Sequence, residues 1–178
     1  MRNLIAGIAV SVLLSTAGCT SEAVEETTEP EVQTLQSDLT TPAERGVSEI
    51  IKEDGIHVVH FWAPWCHNSK GELAAGLYRI IEENPNVTFT FVTVWNDEKS
   101  GREMLDAYDI PDYVNELTWG QRERSERKRE FMGLPITWTP TTWIFHRNGQ
   151  LAYAFNYGEL REDLFRLIME NIETDWSH

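Results

Sequence analysis

Cys66 and Ser69 are the two residues of this chain whose types and spacing point most directly to chemistry. An apolar, strand-like run at residues 56–60 precedes them, and a helical pattern at 70–83 follows. A cysteine at the first turn of a helix lies beside unpaired backbone N–H groups and the positive end of the helix dipole. Because that placement lowers the pKa of a thiol, we predict that Cys66 is a nucleophilic thiolate. The alternative is an inert, buried cysteine.

Ser69 defines which thiol chemistry the chain can complete. It follows Cys66 by three residues, about one helical turn, so we expect its hydroxyl beside the thiol. A hydroxyl can donate a hydrogen bond to a thiolate, but it cannot attack a mixed disulfide and release the bound partner. The pair therefore predicts monothiol exchange, which either stalls at the mixed disulfide or needs an external thiol.

The sequence Phe-Trp-Ala-Pro-Trp-Cys at residues 61–66 resembles the active site of the thioredoxin family, in which a second cysteine occupies the position of Ser69. Two further motifs carry the resemblance: Thr-Pro-Thr-Thr at 139–142, before a strand, and an Asn-Gly hairpin turn at 148–149. The resemblance covers roughly residues 42–172. The membrane-anchored TlpA-type branch of the family is the most similar.

This resemblance implies roles for several residues. Pro140 is expected to be cis and to pack against Cys66, Thr139 to bind an extended substrate through its backbone, and Trp65 to border the site. His60 occupies the position of a buried aspartate that helps to move the proton of the cysteine. A histidine titrates near neutrality and could take part of that role; alternatively, His60 is a hydrogen-bonded strand residue without a catalytic part.

His67 directly follows the cysteine. When protonated it would favour the thiolate, and the alternative is a plain surface residue. Cys66, His60 and His67 together could also hold copper or zinc, so a metal carrier is a third, less favoured hypothesis. His57 cannot join His60 at one ion, because residues three apart on a strand point to opposite faces. The sequence predicts no bound cofactor and no metal site.

Hydrophobic periodicity and turn residues predict an α/β fold in the order β-α-β-α-insert-β-β-α, which is the thioredoxin fold: a central mixed β-sheet flanked by helices, with an insert (97–132) before the cis-proline strand. The side chains predicted to face the core from the first and last helices are Val47, Ile50, Ile51, Leu164, Leu167 and Ile168. Helices are predicted at 42–53, 70–83, 99–108, 121–131 and 160–172, strands at 56–62, 87–94, 137–145 and 151–155, and irregular structure at 109–120.

The N-terminal residues predict export and lipid anchoring. An apolar stretch at 4–14 ends in Ser-Thr-Ala-Gly-Cys, which resembles the bacterial lipobox, so residues 1–19 form a lipoprotein signal peptide and Cys19 is the lipidation site. An ordinary signal peptide with a chance cysteine is the alternative. Residues 20–41 are an acidic, flexible tether, and 42–178 are the thioredoxin-like domain. Thr20 favours the periplasmic face of the outer membrane if the cell envelope has two membranes.

The charge and the cysteine count restrict the partners. The formal net charge of −14 argues against nucleic acid, since phosphate would be repelled. With Cys19 lipidated, Cys66 is the only free thiol of the mature protein. The predicted partners are proteins or small thiols that carry a thiol or disulfide, and the membrane through the lipid. The main competing hypothesis is a redox-inactive binding module with a peptide groove around Trp65 and Pro140.

Overall fold

A mixed five-stranded sheet forms the centre of the protein. The computed structural model describes residues 39–97, 99–120, 129–156 and 160–172, which lie within one unit, Gln33–His178. The helices are α1 (Pro42–Ile50), α2 (His67–Ala74), α3 (Leu77–Glu83), α4 (Arg102–Ala107) and α5 (Glu162–Ile172). The strands are β1 (Ile56–Trp62), β2 (Val87–Val94), β3 (Asn115–Trp119), β4 (Arg129–Phe131), β5 (Leu134–Ile136), β6 (Thr141–Phe145) and β7 (Leu151–Asn156).

The sheet has the order β3-β2-β1-β6-β7, and β4 pairs with β5 in a separate hairpin. β1 is parallel to β2 and antiparallel to β6, so the sheet is mixed as predicted. Every residue of β1 is buried, because apolar layers cover both faces of the sheet. Val58 and Trp62 face a core shared with α3 and α5, whereas Val59 and Phe61 face a core shared with α1 and the β4–β5 hairpin.

Helix α1 begins at the predicted residue. The Thr41 hydroxyl accepts a hydrogen bond from the Glu44 N–H, the Glu44 carboxylate accepts one from the Thr41 N–H, and proline occupies the first turn. The helix ends at Ile50, three residues earlier than predicted. Val47 and Ile51 are buried as expected, whereas Ile50 is only half-buried.

The helix predicted at 70–83 is two helices. α2 begins three residues earlier, at His67, and the chain breaks before α3 at Gly76, whose φ of +100° lies in the left-handed region. Glycine adopts that conformation without the steric penalty of a Cβ atom, so it interrupts the helix here. The break leaves α2 as a separate eight-residue helix that carries the site.

The insert differs from the prediction at both described ends. Residues 115–119, predicted irregular, form β3, which extends the sheet by pairing parallel with β2 from Thr90↔Asn115 onward. Residues 129–131, predicted helical, form β4; the rest of that predicted helix, 121–128, lies outside the described residues. Five- and three-residue strands are too short to show a periodicity of their own, and their pairing partners determine them.

The predicted C-terminal hairpin and helix are present, but β6 begins at Thr141, four residues later than predicted, and α5 begins at Glu162, two residues later. The Asn-Gly turn joins β6 to β7, with Gly149 at φ +77°. In α5, Phe165, Ile168 and Ile172 are buried at helical spacing. Leu167, predicted to face the core, is 55% exposed, because the buried stripe runs through residues 165, 168 and 172 instead.

Candidate active site

Cys66 lies in the turn between strand β1 and helix α2. β1 ends at Trp62, and Cys66 is the N-cap of α2, with extended backbone at φ −81° and ψ 125°. Its N–H donates to the Ala63 carbonyl at 2.9 Å, and its own carbonyl accepts from Lys70 N–H at 3.1 Å. The turn therefore fixes the thiol at the start of the helix. Cys66 is partly exposed and is the free cysteine of the described residues.

The thiol contacts the loop before β6. Its S–H donates to the Thr139 carbonyl across 3.4 Å, and the Thr139–Pro140 peptide bond is cis. Burial raises the pKa of Cys66, but hydrogen bonds with the side chain of Thr139, with the backbone and hydroxyl of Ser69, and with the backbone of Asn68 outweigh it. The pKa of the thiol therefore lies below its ordinary value. These groups favour the thiolate, which is the nucleophilic form.

Ser69 is fully buried beneath Cys66. Its hydroxyl oxygen accepts a hydrogen bond from the Ala63 N–H at 3.3 Å, so the same turn fixes both residues. The structure thus brings Ser69 and Cys66 together, with Ser69 among the groups that lower the pKa of the thiol. Because Ser69 is a hydroxyl residue, the described site contains one thiol.

His60 is buried on the α2 side of β1 and is bonded on one ring nitrogen. Its Nδ1 lies 3.0 Å from the Thr142 hydroxyl, and its Nε2 lies 3.7 Å from Oε2 of Glu72. Burial lowers the pKa of His60 to about 3. This differs from the predicted titration near neutrality, because desolvation of the charged ring is not offset by a hydrogen bond at Nε2. His60 is a buried, hydrogen-bonded strand residue, and its part in moving the proton of Cys66 stays a prediction.

Glu72 was missed by sequence reasoning. It lies on the buried face of α2, one turn beyond Ser69, and its exposed fraction is 1%. Its Oε1 accepts a short hydrogen bond from the Leu160 N–H, just before α5. The available signal was the spacing: Cys66, Ser69 and Glu72 follow one another at intervals of three on a predicted helix. A carboxylate in that register falls on the face that carries the site.

An exposed tryptophan directly precedes each of the two residues in the Cys66–Thr139 contact. Trp65, directly before Cys66, is 42% exposed; its indole N–H donates to the Trp95 carbonyl at 2.9 Å, and the two rings stack with centroids 6.3 Å apart. Trp138, directly before Thr139, is 58% exposed. Thr139 itself is buried. Of the residues predicted to bind substrate, Thr139 contacts the sulfur, Pro140 follows it in the same loop, and Trp65 directly precedes Cys66.

Comparison with solved structures is decisive for the architecture. A thioredoxin-family thiol:disulfide interchange protein from Chlorobium tepidum is 16% identical, with a TM-score of 0.54, over 70% of this chain and 83% of that one. A secreted thiol-disulfide isomerase from Corynebacterium glutamicum is 17% identical, with a TM-score of 0.53, over 71% and 75%. The chain has the thioredoxin fold. No protein-family model and no curated relative matches it.

The remaining predictions concern His67, a metal site and the membrane anchor. His67 is exposed and forms no hydrogen bond or ion pair with a described residue. Among the described residues, no group of three His, Cys, Asp or Glu side chains is placed to hold a metal ion, so the arrangement of Cys66, His60 and His67 considered for a metal carrier is not formed.

The described helices include none with the length and hydropathy to cross a membrane. Cys19 and the tether predicted at 20–41 lie outside the described residues, apart from 39–41.

Proposed function

We propose that this protein is an exported, lipid-anchored thiol–disulfide exchange protein that acts through one thiol, Cys66. The observation that carries the proposal is the position of Cys66: it caps α2, is partly exposed, and has a lowered pKa. The structures of similar fold support this choice, since their names describe thiol:disulfide interchange and thiol-disulfide isomerase proteins. One of them is described as secreted, in agreement with the predicted export.

The reaction needs one bond to form and one to break. The Cys66 thiolate attacks one sulfur of a partner disulfide; a new disulfide joins Cys66 to that partner, and the other partner sulfur leaves as a thiolate. The side chain of Thr139, Ser69 and the backbone of Asn68 stabilise the attacking thiolate. We further propose that His67 supports the thiolate when protonated, and that Trp65, Thr139 and Pro140 border the bound partner.

Ser69 determines how the reaction ends. A resolving thiol at this position would attack the mixed disulfide from within the chain, whereas a hydroxyl does not. The partner is therefore released by an external thiol, which attacks the mixed disulfide and regenerates the Cys66 thiolate. Exchange is monothiol, and the mixed disulfide accumulates when no external thiol is present. Partners are proteins or small molecules that carry a thiol or disulfide.

Trapping of the mixed disulfide tests the proposal. The full chain carrying Cys19→Ser, so that Cys66 is the only thiol, is mixed with a peptide disulfide and analysed by mass spectrometry. We expect one adduct on Cys66 that persists until a small thiol is added, and no adduct in a chain that also carries Cys66→Ser. Absence of the adduct from folded protein would mean that the redox-inactive binding module is the correct alternative.

The lipid anchor at Cys19 has a separate test, because it rests on the lipobox-like residues alone. Cells that express the full chain are labelled with palmitate, and the membrane fraction is collected. We expect label and membrane attachment in the native chain and in Cys66→Ser, and neither in Cys19→Ser. Label in the Cys19→Ser variant would exclude Cys19 as the anchor.

A further inference from the structure

Trp95 has a strained backbone directly beyond the end of β2. Its φ of +54° lies in the left-handed region, which bulky side chains rarely adopt. β2 ends one residue earlier, at Val94, and pairs with every residue of β1, the strand that leads to Cys66. Strain of this kind persists only where surrounding contacts hold it, and it is concentrated at functional sites. The contacts of Trp95 therefore indicate what the strained backbone serves.

Trp95 holds Trp65 in two ways. Its carbonyl accepts a hydrogen bond from the Trp65 indole N–H at 2.9 Å, and the two rings stack with centroids 6.3 Å apart and an interplanar angle of 28°. Trp95 is itself half-buried and packs against the core cluster that contains Val94 and Ala63. Trp95 thus connects the exposed Trp65 ring to the core of the protein.

Trp65 lies in the turn that fixes the thiol. It directly precedes Cys66, whose N–H donates to the Ala63 carbonyl at 2.9 Å and closes the turn. On one side, the Cys66 sulfur contacts the Thr139 carbonyl, before β6. On the other side, the Trp65 indole is bonded to Trp95, after β2. Because β6 and β2 are the two neighbours of β1 in the sheet, the turn is held from both sides.

We propose that Trp95 is a positioning residue for Cys66: it holds Trp65 by a hydrogen bond and a ring stack, and Trp65 in turn keeps the thiol in place at the start of α2. The inference rests on the proposed exchange at Cys66. It adds to that reaction a residue that acts through its neighbour rather than by contact with the reacting sulfurs.

The position of the turn determines how many groups stabilise the thiolate. Burial alone raises the pKa of Cys66, and hydrogen bonds with the side chain of Thr139, with Ser69 and with the backbone of Asn68 outweigh it. Hydrogen bonds weaken steeply as their distance and angle depart from the preferred values. If the turn is released from Trp95, the sulfur can move away from these groups, and a smaller fraction of Cys66 is then thiolate.

The charges around the site stay the same when either tryptophan is replaced. Both side chains are uncharged, so a shift in the titration of Cys66 after their replacement reports a change in geometry. The titratable and charged groups on α2, on β1 and just after Trp95 are His67, Lys70, Glu72, His57, His60, Asp97 and Lys99. All of these are retained in the variants that test the inference.

Alkylation of Cys66 by iodoacetamide, measured against pH in the full chain carrying Cys19→Ser, tests the role of Trp95. Trp95→Gly removes the ring, and glycine adopts the left-handed backbone without a steric penalty. Trp95→Asn is the second variant, because asparagine tolerates this backbone better than most other residues. We expect both variants to raise the inflection by about half a pH unit, which corresponds to an about threefold lower rate at a pH below the inflection.

A second pair of variants tests the route through Trp65. Trp65→Ala removes the hydrogen bond and the stack together, so Trp95→Gly should cause no further shift in that background. Tyr113→Ala is the control for loss of an aromatic side chain and should leave the inflection unchanged. Tyr113 is 65% exposed and precedes the N-terminal end of β3, whereas Cys66 follows the C-terminal end of β1, and both strands run parallel to β2.

The outcomes separate the role of Trp95 from the exchange reaction. An unchanged inflection in folded Trp95→Gly and Trp95→Asn would overturn the positioning role, and adduct formation by the native residues would leave monothiol exchange intact. An equal further shift in the Trp65→Ala background would overturn the route through Trp65. Absence of any Cys66 adduct with a peptide disulfide, in folded protein with both tryptophans present, would overturn the proposed function itself and the inference with it.

Discussion

The Cys66 thiol donates a hydrogen bond to the Thr139 carbonyl across 3.4 Å, although 73 residues separate the two in the sequence. This contact joins the turn that follows β1 to the loop that precedes β6, and those strands are neighbours in the sheet. The position of the reactive sulfur therefore depends on two segments that the fold brings together. Changes in either segment alter the reactivity of Cys66.

Alkylation of Cys66 should show a thiolate at a lower pH than a free cysteine does. The reaction rate rises as the thiol loses its proton, and the pKa of Cys66 is lowered. In the full Cys19→Ser chain, we expect the inflection of the rate against pH to lie below that of N-acetylcysteine measured alongside. Ser69→Ala should move the inflection upward, because it removes the hydroxyl. An inflection at or above the reference would identify Cys66 as inert.

The sequence predicts the strands, turns and caps around the site better than the buried side chains inside it. The strand 56–62, the cap at Thr41 and the Asn-Gly hairpin depend on local residue patterns, and all three agree with the structure. The neutral state of His60 depends on burial by other elements, and the position of Glu72 depends on which face of α2 packs inward. β3 forms because its backbone pairs with the edge of β2. Such features follow from tertiary contacts that no local pattern contains.

Ser69→Cys should convert the protein from a monothiol to a dithiol exchanger. Residues three apart on a helix have their Cβ atoms about 5–6 Å apart, close enough for a disulfide after a small adjustment. Ser69 is already buried beside Cys66, so a thiol there would attack a mixed disulfide and release the partner. We expect catalytic reduction of a protein disulfide in the presence of a reductant, and loss of the trapped adduct.

Ser69→Ala is the matched control, since it changes the same buried position without adding a thiol. It should retain the trapped adduct and show no dithiol turnover. A folded Ser69→Cys protein that neither closes a disulfide with Cys66 nor turns over would falsify this prediction. It would show that this site differs from a dithiol active site in more than the residue at position 69.

His60 should remain neutral across the physiological pH range. Burial holds its pKa at about 3, against 6.5 for an ordinary histidine. Between these two pH values the ring binds a proton in the unfolded chain but not in the folded one, so protonation favours unfolding. The free energy of unfolding is therefore not reduced by His60 above about pH 6.5, and it decreases as the pH falls from 6.5 towards 3. Ring chemical shifts of His60 should not titrate between about pH 8 and 5.

The stability of two variants against urea checks the same point. His60→Asn should flatten the loss of stability between pH 6.5 and 3, because it removes the titrating ring. His67→Asn is the control, since it makes the same replacement at an exposed position, and it should keep the loss of stability that His60→Asn removes. A His60 ring that titrates near neutrality would support the predicted proton-transfer role and contradict the lowered pKa.

Glu44 should contribute more to stability than any exposed carboxylate of α1. It is 4% exposed; its Oε1 accepts from the Met132 N–H at 2.9 Å, and its Oε2 accepts from the N–H groups of Thr40 and Thr41 at 3.0 and 2.8 Å. Burial raises the pKa of Glu44, but these hydrogen bonds outweigh it and lower the pKa. The carboxylate thus links the start of α1 to the turn between β4 and β5.

Glu44→Gln should lower the free energy of unfolding by about 2–3 kcal/mol at neutral pH, because charge-assisted hydrogen bonds to buried donors are lost. Glu49→Gln on the same helix is the control; its ion pair with Lys52 is exposed and should contribute less than about 1 kcal/mol. The Glu44 contribution should be complete above the unfolded-state pKa of ~4.3 and lost as the pH falls through the lowered folded value. Urea unfolding at several pH values measures both, and equal effects of the two substitutions would contradict the role of Glu44 in joining α1 to the hairpin.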